Sequence, residues 1–137
     1  MSRPFHYAFK VTDLSSTREF YMQVMGCSEG RSTDTWVDFD LYGNQLSAHV
    51  GTMEELDYCG KVDGITVPIP HFGCVLSNSE FDELQARFDA ACIEFLVKPV
   101  DRYVGQVGQQ KTMFVMDYSG NPLEFKCMAD DSELFAS

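Results

Sequence analysis

The sequence predicts an α+β fold of two βαβββ modules, and three observations carry that prediction. His6-Tyr-Ala-Phe-Lys-Val and His71-Phe-Gly-Cys-Val-Leu each set a histidine in a strand-like stretch that leads into helical periodicity. Gly43-Asn44-Gln45-Leu46 and Gly120-Asn121-Pro122-Leu123 repeat a turn at the matching point of each half. The spacings agree: 65 residues separate His6 from His71 and 77 separate Gly43 from Gly120, so the second half is 12 residues longer. The excess fits the polar stretch Pro99–Lys111, which reads as a loop.

In the first half, Phe5, Tyr7, Phe9 and Val11 alternate with His6, Ala8 and Lys10, the period of a strand with one apolar face. Asp13 is placed to cap a helix whose Phe20, Tyr21, Val24 and Met25 recur at helical spacing, and Gly26 ends it. Short strands follow near Cys27–Arg31, over Thr35–Leu41 and, after the Tyr42-Gly43-Asn44 turn, over Gln45–Val50. Residues 52–69 hold Gly60, Gly64 and Pro68 and read as a connector without strong periodicity.

The second half starts over. A strand over His71–Leu76 precedes a helix capped by Ser77 or Ser79, with Phe81, Leu84, Phe88 and Ala91 as its stripe. Strands are expected over Ile93–Val97, Thr112–Asp117 and Pro122–Cys127. One domain of 137 residues results, with module 1 at about 4–51, module 2 at about 70–128 and an acidic tail at 129–137 that is expected to fray.

Bulk properties narrow the function. Twenty-one acidic residues against 10 basic ones give a net charge of −11, which repels phosphate backbones and argues against nucleic-acid partners. No apolar run approaches the roughly 20 residues of a membrane span. The five cysteines show no Cys-x-x-Cys spacing, and no secretory leader pattern opens the chain, so reduced thiols in a cytoplasmic protein are expected. Cys74 and Cys92 sit in apolar patterns and read as small buried hydrophobes.

The alternation puts His6, Ser47, His49, His71 and Glu124 on the strand face opposite the helices, so a curved sheet would gather them in a pocket. Two imidazoles and one carboxylate, His6, His71 and Glu124, match the facial triad of non-haem iron sites, which leaves positions open for substrate and O₂. The donor mixture suits Fe²⁺, Mn²⁺, Zn²⁺ or Ni²⁺, and the match to that triad favours Fe²⁺. Trp36 and Phe114 are candidates to line the pocket, though strand aromatics are more often core. Lys10 and Lys126 share the face. Arg102 and Tyr103 could reach a bound anion or close the pocket, but a solvated loop is the favoured reading of that stretch.

The pattern His6…Asp13-Leu14…Phe20-Tyr21…Gly26, then His71…Gly120-Asn121-Pro122-Leu123-Glu124-Phe125, resembles the vicinal oxygen chelate superfamily of glyoxalases, bleomycin-resistance proteins and extradiol dioxygenases. The likeness covers about residues 4–128. It implies a glyoxalase-like fold, a mixed sheet around a metal-binding cleft, and ligands from the first and last strand of each module. His6, His71 and Glu124 match three of those positions. The fourth falls on Ser47, a poor ligand, with His49 two residues further along, roughly 7 Å away. His49 is either a fourth ligand or a nearby acid–base group, and Tyr103 is a second catalytic candidate. Two histidines with one glutamate resemble the dioxygenases more than the glyoxalases. The resemblance therefore implies a metal-dependent oxidoreductase acting on a small substrate with vicinal oxygens, working as a homodimer. A glyoxalase-type lyase or isomerase and a metal-free drug-sequestering binder are the alternatives.

Overall fold

A computed structural model describes residues 3–137. The chain packs as two units, one of residues up to Glu55 together with Asp117–Asn121, the other of Leu56–Met116 together with Pro122–Ser137.

The first unit holds β1 (His6–Val11), α1 (Leu14–Arg18) continued by a π-helical turn (Glu19–Val24), β2 (Ser28–Ser32), β3 (Trp36–Leu41) and β4 (Asn44–Val50). Asp13 caps α1 by accepting from the Ser16 amide and hydroxyl, both at 2.7 Å, and these bonds hold its carboxyl below the usual range. The sheet runs β1-β4-β3-β2, with β1 and β4 parallel. Its helix-side face is the core: Val11, Phe20, Val37 and Ala48 are fully buried, and Tyr21 stacks on Phe39 at 5.2 Å. The buried Tyr21 hydroxyl donates to Asp117 Oδ2 at 2.8 Å, while the Asn121 side-chain amide donates to the Lys10 carbonyl at 2.8 Å.

The second unit holds β5 (Asp57–Val62), β6 (Ile65–Ile69), β7 (Phe72–Val75), α2 (Asn78–Ala90), β8 (Phe95–Arg102), β9 (Gln110–Met116) and β10 (Pro122–Met128). Its main sheet runs β7-β10-β9-β8, the same order as the first sheet with β7 and β10 as the parallel pair. Ser77, not Ser79, caps α2 through a reciprocal capping box with Glu80. Phe81, Leu84 and Phe88 are buried with Leu123, Phe125 and Met113 of the sheet.

Several expectations are revised. The aperiodic stretch before His71 forms the β5-β6 hairpin. Its turn residues Asp63 and Gly64 have φ of 48° and 78°, the left-handed pair of a tight hairpin. β8 extends through Pro99 to Arg102, which shortens the long loop to 103–109; proline is tolerated because β8 is an edge strand. Cys92 is exposed rather than buried, since it lies beyond α2 with φ of 56°. The tail does not simply fray: Asp131–Glu133 make a 3₁₀ turn, and Glu133 accepts from the Gly108 amide at 2.8 Å.

Candidate functional site

His71 and Glu124 meet. His71 stands just ahead of β7, and Glu124 lies on β10 opposite Gly73. A Cβ at Gly73 would fall on the Glu124 carbonyl oxygen, so only glycine lets the two backbones approach this closely. His71 Nδ1 is 2.7 Å from the Pro68 carbonyl oxygen. A carbonyl only accepts, so Nδ1 carries the proton and neutral His71 points its Nε2 lone pair at Glu124. Nε2 lies 3.2 Å from Glu124 Oε1. Two electron-pair donors at that distance require a cation between them, a proton or a metal ion. The hydrogen bond to Glu124 accordingly raises the His71 pKa, burial opposes it, and the Pro68 carbonyl adds to the rise. A backbone acceptor fixing the tautomer of an imidazole is the usual outer support of a metal ligand, so this pair fits a divalent metal.

Around the pair stand an aromatic ring and a cation. Phe114, opposite Glu124 on β9, is fully buried and meets the His71 ring edge-on at 4.9 Å. Lys126 Nζ lies 3.8 Å from Glu124 Oε1.

The other expected residues stand on other elements. His6 opens β1 in the first unit, exposed and in register with Gln45. His49 is exposed, in register with both Lys10 and Trp36, with its ring 6.1 Å from the Trp36 ring. Tyr103 follows β8 with φ of 55°, and its amide donates to Asp63 Oδ2 at 3.1 Å. Lys10 pairs with Glu54 at 2.7 Å. Within neither unit do three His, Cys, Asp or Glu side chains gather, among the described residues.

The register supports Ser47 as the counterpart of Glu124: each pairs with the residue two beyond the module's histidine, Ala8 or Gly73. Ser47 donates to Asp38 Oδ1 at 2.6 Å, and Gln45 Nε2 reaches Asp38 Oδ2 at 3.3 Å. Asp38 is a buried carboxylate that sequence reasoning passed over as one polar member of an alternating strand. It also lines a hollow of about 360 Å³ in the first unit, with Glu29, Arg31, Asp40 and Gln45. Arg102 overturns the solvated-loop reading, being 1% exposed at the end of β8.

A model of the Glyoxalase/Bleomycin resistance protein/Dioxygenase superfamily matches residues 3–125. The chain belongs to that superfamily. A glyoxalase/bleomycin resistance protein/dioxygenase from Alicyclobacillus acidocaldarius is 27% identical, with 98% of this chain and 97% of that one covered at a TM-score of 0.82. The fosfomycin resistance protein FosX of Listeria monocytogenes shares the fold at 20% identity, TM-score 0.72, covering 98% of this chain and 99% of that one. Virulence protein STM3117 of Salmonella typhimurium shares it at 22% identity, TM-score 0.64, covering 93% and 97%. No curated protein matches. Among the described residues no helix is long and apolar enough to cross a membrane.

Proposed function

We propose that this superfamily member is a small metal-dependent enzyme, a dioxygenase-like oxidoreductase acting on a small substrate with vicinal oxygens. The observation that carries the reading is the His71–Glu124 pair, two ligand atoms 3.2 Å apart with the imidazole tautomer fixed by Pro68. His6 is the third ligand of this reading. A divalent ion bound there, Fe²⁺ in preference to Mn²⁺, Zn²⁺ or Ni²⁺, supplies Lewis acidity and, for iron, redox reactivity toward O₂.

The chain's own residues do the rest. The Pro68 carbonyl holds the proton of neutral His71 on Nδ1 and aims Nε2 at the ion. Phe114 excludes water from one side of the pair, which strengthens electrostatic interactions beside it. Lys126 offsets the Glu124 charge and favours an anionic substrate oxygen. His49 is assigned to move a proton, the task for which an imidazole is suited, and the Tyr103 hydroxyl to orient substrate. The working form in this reading is a homodimer, which light scattering tests.

Metal content of untagged protein purified anaerobically, beside His71→Ala and Glu124→Ala, tests the site. Stoichiometric metal that both variants lose supports it and directs the substrate screen, catechols for iron and α-keto thiol adducts for zinc or nickel. No metal even after reconstitution overturns it. The net charge of −11 then favours the metal-free reading, a binder that sequesters a cationic drug.

A further inference from the structure

β8 ends on a cation that the second unit buries. Arg102 is the largest fully buried side chain of the described residues. Its Nη1 donates to the Val62 carbonyl at 3.2 Å, and its guanidinium carbon stands 5.8 Å from the centroid of the Phe114 ring. Nε and Nη2 are buried and meet no acceptor, and neither does the fully buried hydroxyl of Thr112 on β9. Thr112 and Phe114 are two apart on one strand and so share a face; the register sets Lys126 opposite Thr112 and Glu124 opposite Phe114. Arg102 and His71 thus both contact the Phe114 ring.

A guanidinium does not deprotonate inside a protein, so Arg102 is charged. The ion pairs among the described residues join Lys10 to Glu54, Arg18 to Glu29, and His71 and Lys126 to Glu124, and none includes Arg102. A buried cation without a counter-anion and a buried hydroxyl without a partner are both costly to fold around. Arginine in that state is suited to an anion that arrives from outside. The Nε–Nη2 edge is the side of the guanidinium that takes two oxygens of one oxyanion side by side.

We propose that Arg102 and Thr112 form a binding site for an anionic oxo group, a carboxylate or a phosphonate, on the substrate. Nε and Nη2 hold two of its oxygens and the Thr112 hydroxyl donates a further bond. The Phe114 ring touches both the Arg102 guanidinium and the His71 ring, and Lys126 adds positive charge from the next strand. That the anion belongs to the substrate rests on the enzyme reading above; that the site binds an anion does not.

The test uses full-length protein stripped of metal with chelator, studied by thermal shift and calorimetry with acetate, methylphosphonate and neutral acetamide, each against sodium chloride at equal ionic strength. Acetate or methylphosphonate raises the melting temperature and acetamide does not; the stronger of the two identifies the group. Arg102→Met weakens binding roughly a hundredfold, the loss of two charge-assisted hydrogen bonds, and Thr112→Val roughly fivefold. Thr112→Val melts at or above the wild type, because its hydroxyl has no partner to lose, so it reports on the site even where Arg102→Met fails to fold. The proposal is overturned when neither anion shifts the wild type beyond the salt control, or when Thr112→Val binds as tightly as wild type. Metal content is measured separately, on protein purified anaerobically and never exposed to chelator. Anion binding without metal leaves this site standing and removes the enzyme reading; metal without anion binding does the reverse.

Discussion

Replacing Gly73 by alanine tests fold and site together. The added Cβ would meet the Glu124 carbonyl oxygen, with the carbonyl carbon at 2.6 Å and the Glu124 nitrogen at 3.3 Å. These are backbone atoms and cannot rotate aside as a side chain would. β7 is an edge strand, so relief comes from moving it away from β10, across the pairs from Leu123↔Phe72 to Lys126↔Val75. Overpacking against movable side chains costs about 1–3 kcal/mol, and a backbone obstacle belongs at the upper end, about 3 kcal/mol. In a chain of this length that lowers the melting temperature by roughly 10 °C. His71 immediately precedes β7, so the 3.2 Å gap from its Nε2 to Glu124 widens and metal affinity drops roughly ten- to a hundredfold. Melting curves and metal titration on the same samples give both numbers. Gly43→Ala is the control: its φ of 85° makes alanine strained, but the space around it is open and it lies in the first unit, so stability falls by about 1 kcal/mol with metal affinity unchanged. Gly73→Ala melting with the wild type at unchanged metal affinity would refute the close-approach argument.

Tyr21→Phe removes one hydrogen bond to a buried carboxylate that keeps three other donors, the Ser119 and Asn121 amides and the Asn121 side chain, and costs about 1.5 kcal/mol by urea denaturation. Burial, then the Asp117 charge, pushes the Tyr21 phenol well above its ordinary value of 10.0. The folded state therefore favours the neutral phenol, a contribution complete below pH 10.0 and lost as pH rises above it, so wild type loses stability in alkali more steeply than Tyr21→Phe. Ser77→Ala breaks the capping box of α2 and lowers stability by about 1 kcal/mol, read from the same denaturation curves. A thiol-specific reagent modifies exposed Cys59 and Cys92 first and Cys127 last, because burial raises the Cys127 thiol and its Sγ donates to Asn78 Oδ1 at 3.3 Å; mass mapping over time gives the order.

Periodicity made the repeated module legible. Phe5 to Val11 and Thr35 to Leu41 alternate in sequence because the apolar side of each strand, with Phe9, Val11, Val37, Phe39 and Leu41, supplies the core, and the strand order of the two sheets repeats as the duplicated segments imply. The β5-β6 hairpin was hidden by the glycines and prolines around it, although Asp63-Gly64 between Val62 and Ile65 is itself a strong hairpin signal. Glu124 and His71 were legible as a pair because each strand face is fixed by its neighbours. Arg102 and Asp38 were not. Sequence places an arginine in a polar stretch at the surface, and only the pairing of Arg102 with Gln110 carries it into the sheet. Asp38 becomes notable only when the register sets it beside Ser47.

The first unit takes Asp117–Asn121 from the far end of the chain. During synthesis, the Tyr21 hydroxyl therefore waits for an acceptor that lies 96 residues downstream. At about 5–20 residues per second, that interval is roughly 5–20 s. Through it the Tyr21 hydroxyl and the Lys10 carbonyl have only water in place of the Asp117 carboxylate and the Asn121 amide that later bond to them. The amino-terminal half thus cannot finish folding in the order in which it is made, and a fragment ending at residue 55 stays permanently in that incomplete state.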